Sequence, residues 1–344
     1  MAAQQVSQRL QQAWLTRGPL AIALWPVAMV FGALARLRRA MYRAGWLRVE
    51  TLPVPVVVVG NLIAGGAGKT PTVIALVSLL RRHGWRPGIV SRGHGRTGDA
   101  VLAVDADTPT EQSGDEPRLL QMRLGVPVVV GRDRVAAARE LLRRHPEVNL
   151  LVSDDGLQHH RLPRCAQVLV FDERGAGNGW PLPAGPLRDP MPSRVPPNSI
   201  VLYNAASPTT PLPGHLARRA LRGLVPLTDW WAGAPPTPAA LLELAGRPVL
   251  AAAGVANPAR FFEMLSKAGL TLQPLPLPDH HAFATMPWPA GAADVVVTEK
   301  DAVKLVPAKV GSTRVWVAPL DFETDAAFNT DLLKLLPPPP SKES

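Results

Sequence analysis

Residues 54–72 read VPVVVVGNLIAGGAGKTPT, and the order of residue types in this stretch decides the fold. Val54 to Val59 is a β-branched run of the kind that forms a strand buried on both faces. Gly60 to Thr70 is dense in glycine. Pro71 to Leu80 then sets apolar residues at helical spacing, with Pro71 in the first turn, where its missing N–H is tolerated. Strand, glycine loop and helix in this order make a phosphate-binding loop. Ala64, Gly65, Gly66, Ala67 and Gly68 let backbone N–H groups converge on phosphate oxygens, and the helix N-terminus adds partial positive charge. Lys69 reaches the β/γ oxygens, and the Thr70 hydroxyl can ligate Mg²⁺. The general G-x-x-x-x-G-K-[ST] spacing asks for glycine at position 63, where this chain has Ile63. The glycines nearest the lysine remain, so Mg·ATP is the expected ligand.

A loop of this kind works with acids at the end of a second strand. Val148 to Ser153 is apolar enough for that strand, and it runs into Asp154-Asp155-Gly156-Leu157-Gln158-His159-His160-Arg161. Paired aspartates at a strand's C-terminal end stand where α/β sheets hold ligands, although Asp and Gly together also make ordinary turns. Two further clusters are less specific. Gly114-Asp115-Glu116-Pro117 reads, by spacing alone, as a helix N-cap. Asp279-His280-His281 allows metal binding or acid–base work, but zinc lacks cysteines or a third spaced ligand here. Arg92, Arg132 and Arg161 each follow a strand end. Singly such residues are surface ion-pair partners, and jointly they favour an anionic substrate.

Around this kernel the chain has 344 residues, 47% of them hydrophobic, and a mean hydropathy of +0.07, which fits two globular α/β domains with some membrane affinity. Its single cysteine, Cys165, excludes an internal disulfide framework and reads as a packed thiol. The net charge is +10, and seven arginines against the one acid Glu50 crowd residues 1–50. They bracket an apolar run rather than lining a face, so nucleic acid is not an expected partner. Pro19 to Ala35 is free of charge, and its length of about 25 Å as a helix falls slightly short of a hydrocarbon core of about 30 Å. Trp14, Trp25, Tyr42 and Trp46 accompany it, as aromatic residues do at headgroup level. Ala33-Leu34-Ala35 imitates a signal-peptide cleavage site, and a spanning helix or a buried core helix would carry a similar run. Pro26 and the marginal length favour an anchor seated on, or dipping into, the cytoplasmic leaflet, with its topology open.

Taken in chain order, the motifs resemble those of the tetraacyldisaccharide 4′-kinases, the family that phosphorylates the lipid A precursor at the bacterial inner membrane. The matching pieces begin with Gly60-Asn61-Leu62, the loop Gly65 to Pro71, Ser91-Arg92-Gly93-His94-Gly95, Gly114 to Pro117 and Asp154 to His159. They continue through Leu182 to Arg188, Gly254 to Pro258, Asp279 to Phe283 and Thr298 to Lys304. That family also lacks glycine at the place of Ile63. His94 stands where it usually has Tyr, and Leu157 where Phe is common. The resemblance implies an ATP- and Mg²⁺-dependent transfer to the 4′-hydroxyl of a membrane-embedded, acylated glucosamine disaccharide 1-phosphate. It also implies roles: Asp115 as the base, working with His280, and Lys69 with the loop amides on the transferring phosphoryl group. Thr70, Asp154, Asp155 and Gln158 would form the Mg²⁺ shell. The inner membrane surface and the lipid-linked disaccharide are the expected partners, with no obligate protein partner.

The expected architecture is α/β: a membrane-associated helix in residues 1–48, then a P-loop NTPase-like domain with a largely parallel sheet over 49–215. A smaller second α/β domain over 216–336 would close the active-site cleft, with a disordered tail at 337–344. Residues 205–238 read as a Pro-rich linker. Competing functions are a membrane-tethered ATPase or GTPase switch and a kinase of another anionic glycolipid. The absence of an N-K-x-D guanine motif speaks mildly against a GTPase.

Overall fold

The structure, a computed structural model, describes Leu10 and residues 12–339. Helix α1 (Pro19–Arg43) precedes β1 (Val56–Gly60), α2 (Lys69–Arg82), β2 (Pro87–Ser91), β3 (Leu102–Ala103), α3 (Thr110–Ser113) and α4 (Asp115–Leu124). Next come β4 (Val128–Val130), α5 (Arg134–Arg144), β5 (Leu150–Asp154), β6 (Ala166–Asp172), β7 (Ser199–Asn204), β8 (His215–Leu221) and β9 (Val225–Pro226). The chain continues with α6 (Leu227–Trp231), α7 (Pro238–Leu244), β10 (Pro248–Ala253), α8 (Pro258–Lys267) and β11 (Thr271–Pro276). It ends with β12 (Asp294–Thr298), α9 (Glu299–Ala302), β13 (Arg314–Ala318), β14 (Leu320–Thr324) and α10 (Ala326–Lys334).

Two compact units share the chain. The first takes Met1–Arg92, Asp133–Arg218 and Thr324–Ser344; the second takes Gly93–Arg132 and Arg219–Glu323. Segment 93–132, which carries Asp115, thus folds with the C-terminal half of the chain, and 324–336 folds with the P-loop.

In the first unit the strands run β8-β7-β6-β1-β5-β2, and each adjoining pair is parallel. Val57, Val58 and Val59 are completely buried, which explains an unbroken valine run in a strand covered on both faces. Strand β1 is flanked by β5 and β6, and its register sets Val59 opposite Asp154. Parallel pairing therefore delivers the aspartate to the same edge at which the glycine loop leaves the sheet. Helix α10 returns to this unit by burying Phe328 and Leu332, while His215 lies 3.4 Å from Asp325 and 3.4 Å from Asp331.

In the second unit a sheet of order β11-β10-β12-β13-β9 is parallel except for the β13–β9 pair. One core joins Leu119 of α4 to Val295, Val297, Trp230, Phe283 and Leu305. That packing seats the first turn of α4 beside α9, which begins at the end of β12. Arg123 ties the elements together, pairing with Glu299 at 2.7 Å and with Asp321.

Three expectations are revised. Residues 205–238 are not a linker, since they hold β8, β9 and α6. Most of the prolines lie between these elements, and Ala217 of β8 and Val225 of β9 are buried, as is Leu224 just before β9. Asp115 is not an N-cap: Gly114 occupies that place at φ 87°, and Asp115 is the first residue of the helix. Helix α1 is longer than its apolar run and is not a core helix, because only Ala21, Ala28 and Gly32 are buried in it. Of the expected tail, 337–339 are exposed and without regular structure, and 340–344 lie outside the described residues.

Candidate active site

The phosphate loop of the first unit is braced through its carbonyls. Arg174 donates to the carbonyl oxygens of Ala64 (3.3 Å) and Gly66 (2.8 Å), Asn61 to that of Gly65 (3.1 Å) and Asn204 to that of Ala67 (3.1 Å). Asp172 orients the Arg174 guanidinium from 2.8 Å. Gly65 at φ 91° and Gly68 at φ 90° take the left-handed conformation that the turn requires. With four consecutive carbonyls engaged, the amides of Gly65, Gly66, Ala67 and Gly68 have no acceptor among the described residues. Four such donors at the start of α2 fit the phosphate chain of a nucleotide.

A strap from Asn178 to Arg188 supports the other side. Ile63 bridges to Leu187, Ala64 donates to the carbonyl of Pro186 at 2.8 Å, and Arg188 donates to that of Leu62 at 2.7 Å. The strap's far end meets α1: the Trp180 ring packs at a tilt against that of Trp25, with centroids 6.5 Å apart, and Pro181 crowds Gly32. The Trp14 indole also donates to the Pro183 carbonyl at 2.9 Å.

The acids lie beside the loop. Asp154 ends β5, is buried, and accepts from the Ser91 hydroxyl at 3.1 Å. Asp155 follows at φ 51°, an unfavourable backbone for a residue other than glycine and one that clusters at functional sites. Arg188 grips it with two hydrogen bonds, 2.8 and 3.1 Å, and Lys69 lies 3.7 Å away. Burial raises the Asp155 carboxyl, but Lys69 and Arg188 outweigh it and hold the group at about 2. Lys69 also donates to Asn61 at 3.3 Å. The Gln158 amide donates to Asp189 at 2.9 Å and to the Asn61 carbonyl at 3.4 Å. Thr70 is the second residue of α2, half-buried beside Lys69. These oxygens are the hard donors Mg²⁺ takes, and two carboxylates suit an ion that keeps waters and phosphate in its shell. No group of three or more His, Cys, Asp or Glu able to hold a metal occurs among the described residues.

His159 and His160 adjoin the acids. Burial, then neighbouring arginines (Arg134 for His159, Arg164 for His160), lower each to about 4, so both are neutral at pH 7. Cys165 donates to the Val56 carbonyl at 3.2 Å, and burial raises its thiol, as a packed residue should show.

The second unit holds an acid–base pair. His280 Nδ1 lies 3.0 Å from Asp115 Oδ2, and the Lys304 ammonium lies 3.5 Å from the same oxygen. Asp115 is held from below by a close backbone approach, because a Cβ on Gly114 would come within 3.0 Å of the His94 carbonyl. His280 sits at φ 59° and Phe283 at φ 51°, so this loop too is held out of common backbone space. The His94 ring meets the His280 ring edge-on at 5.7 Å. Burial raises the Asp115 carboxyl, but the His280 hydrogen bond and the charges of Lys304, His280 and Lys300 together bring it below its ordinary value. Lys300 in turn pairs with Glu116 at 3.0 Å.

The three arginines are not brought together. Arg161 is engaged by Glu50 at 3.0 Å and by Asp133 at 2.9 Å, and Arg132 pairs with Asp99 on the surface at 3.4 Å. Arg92 is exposed at the end of β2. Arg174 and Asn204 escaped the sequence reading, although both lie at or just beyond the C-terminal ends of strands next to β1 or its neighbour. Arg188 and Lys304 stood in quoted motifs without a role.

A sequence profile of the family described as tetraacyldisaccharide-1-P 4′-kinase matches residues 20–337. The chain is 58% identical to a tetraacyldisaccharide 4′-kinase of Methylibium petroleiphilum, over 96% of this chain and 93% of that one. It is 54% identical to one of Leptothrix cholodnii, over 97% of each. Its fold is similar to that of a crystal structure described as the "apo" form of LpxK from Aquifex aeolicus in complex with ATP. The TM-score there is 0.75 at 25% identity, covering 92% of this chain and 99% of that one.

Proposed function

The chain belongs to the tetraacyldisaccharide-1-P 4′-kinase family, and from that premise we propose that it transfers the γ-phosphate of ATP to the 4′-hydroxyl of a tetraacyldisaccharide 1-phosphate in lipid A biosynthesis. The single observation that carries this reading is the braced loop: four carbonyls tied back and four amides free, directly before Lys69. Phosphoryl transfer needs positioning and charge stabilisation more than covalent help, and this loop supplies both.

Each residue then has a task. The amides of Gly65 to Gly68 hold the phosphates, and Lys69 stabilises charge on the transferring group. Thr70, Asp154, Asp155 and Gln158 would hold Mg²⁺, which supplies neutralisation of phosphate charge when bound. Asp115 accepts the proton of the attacking sugar hydroxyl, with His280 fixing its carboxylate. Oδ2 is taken by His280 and Lys304, so Oδ1 is the oxygen that faces the hydroxyl. Arg161 and Arg132 have acidic partners already, and of the three arginines we retain only Arg92 as a candidate for the substrate's anionic group.

We place the protein at the cytoplasmic face of the inner membrane. Helix α1 is long and apolar enough to cross a membrane, and only three of its 25 residues are buried. Leu20, Ile22, Trp25, Val27, Val30 and Leu34 are exposed on it. A lipid substrate stays in the bilayer, and an enzyme anchored there meets it in two dimensions.

The test is transfer of label from ATP to tetraacyldisaccharide 1-phosphate in detergent, by wild type, Lys69→Ala and Asp115→Ala. A doubly phosphorylated lipid from wild type and severe loss in both variants are expected. Nucleotide hydrolysis with no lipid product would favour the switch reading instead.

A further inference from the structure

We propose that Lys304 is a positioning residue for Asp115, fixing its carboxylate so that one oxygen is held by the protein and the other is left for the sugar hydroxyl. This inference rests on the reading of Asp115 as the proton acceptor.

Lys304 is an unusual lysine. Its side chain is 6% exposed, and its ammonium has a built environment: Asp301 Oδ1 at 3.4 Å, Asp115 Oδ2 at 3.5 Å and the Phe283 ring centroid at 5.3 Å. Buried ammonium groups are costly unless paired, and here the pairing is doubled and capped by an aromatic ring. Asp301 itself is anchored. It is completely buried and accepts from the Gly254 amide at 3.0 Å and the Thr298 hydroxyl at 2.7 Å. A lysine serving structure alone would be satisfied by Asp301, which lies three residues before it at the end of α9. Reaching onward to Asp115 extends a fixed chain of charge from the strand end at Thr298 to the carboxylate.

The geometry at Asp115 gives that reach a purpose. His280 through a hydrogen bond and Lys304 through its charge both address Oδ2, from different elements, and two partners on one oxygen fix the rotation of the carboxyl group as one cannot. Oδ1 has no hydrogen-bond partner among the described residues. The other charged or titratable groups near the pair are Lys300, Glu116, Asp279, Asp301 and His94. Of these, Lys300 acts on Asp115 only from a distance and is paired with Glu116 and Asp279, whereas the Lys304 ammonium forms an ion pair with Asp115 itself.

The experiment uses the full-length protein in detergent, as wild type, Lys304→Met, Lys304→Arg, Asp301→Asn and Asp115→Asn. It measures kcat and KM against pH at saturating Mg·ATP, together with the titration of the His280 imidazole by ¹H–¹⁵N NMR, assigned through His280→Gln. Removing a cation this close raises a carboxylate pKa by about one unit or more. Lys304→Met should therefore move the acidic limb of kcat upward by that amount and raise the His280 titration, with KM for ATP unchanged. Lys304→Arg should restore both. Asp301→Asn keeps the shape and leaves Lys304 to Asp115 alone, so it should shift both in the opposite sense even if Lys304→Met does not fold. A folded Lys304→Met with limb and His280 titration at wild-type positions overturns the proposal, as does an Asp301→Asn with neither displaced. Full transfer by Asp115→Asn would defeat the base reading instead, while the His280 titration still decides whether Lys304 and Asp115 are coupled.

Discussion

His280 Nδ1 lies 3.0 Å from Asp115 Oδ2 across 165 residues of sequence, on a backbone held at φ 59°. Neither residue stands out in its local sequence: one opens a helix and the other sits in a loop that follows Pro276 and Pro278. Their meeting turns two ordinary side chains into a pair in which a carboxylate is held ionised and oriented.

Loss of that carboxylate should cost turnover rather than structure. Asp115→Asn is expected to lower kcat about 10²- to 10⁴-fold, the usual worth of a general base, with KM for ATP and the melting temperature near wild type. Transfer of label to lipid under saturating substrate measures it.

The phosphate loop predicts a different signature. Arg174→Ala frees the carbonyls of Ala64 and Gly66, so the loop loses its preorganised shape. Nucleotide binding, followed with a fluorescent ATP analogue, should weaken about tenfold, while the Asp115–His280 pair is untouched. Binding at wild-type strength would show that Asn61 and Asn204 suffice to hold the loop.

Much of this first unit was legible in advance. The valine run, the glycines and the helix-spaced apolar residues are local signals, and the ends of the observed strand, Val56–Gly60, and helix, Lys69–Arg82, lie within two residues of the expected ones. The bracing was not legible. Arg174 is recognisable only once Asp172 is known to end a strand that pairs with β1, and that pairing is a long-range fact. Asp115 looked like a cap because acids at helix starts commonly are. Its partner came from a distant loop, so spacing carried no trace of it and only the family resemblance pointed there. The linker misreading has a simple cause: Pro211 and Pro213 precede β8 closely, and the strand itself, with only Ala217 buried, carries no clear alternation.

Acid should destabilise the protein through His159 and His160. Both have folded-state values lowered to about 4 from 6.5, so the unfolded chain takes up protons first as pH falls below 6.5. Stability is therefore lost between about 6.5 and 4. Melting temperatures across that range should fall less steeply in the double variant His159→Gln/His160→Gln.

The second unit depends on a buried ion pair. Glu299 is 6% exposed, its carboxyl is raised by burial, and it bonds Arg123 and the Trp230 indole. Arg123→Ala leaves that acid without its cation and should cost about 3–5 kcal/mol, seen as a lower denaturation midpoint.

Attachment can be probed without shortening the chain. Val27→Asp with Val30→Asp puts charges on the exposed side of α1, where each costs a few kcal/mol in hydrocarbon. Recovery in the membrane fraction should drop, and soluble nucleotide binding should persist.

The strap from Asn178 to Arg188 has a practical corollary for anyone preparing this enzyme. Because Trp180 and Pro181 rest on α1 while Pro186 to Arg188 wall the nucleotide loop, the hydrophobic segment is also part of the scaffold of the catalytic half. Trimming it for solubility would remove a buttress along with a tether, so a truncated preparation is a poor reference state for inhibitor screening.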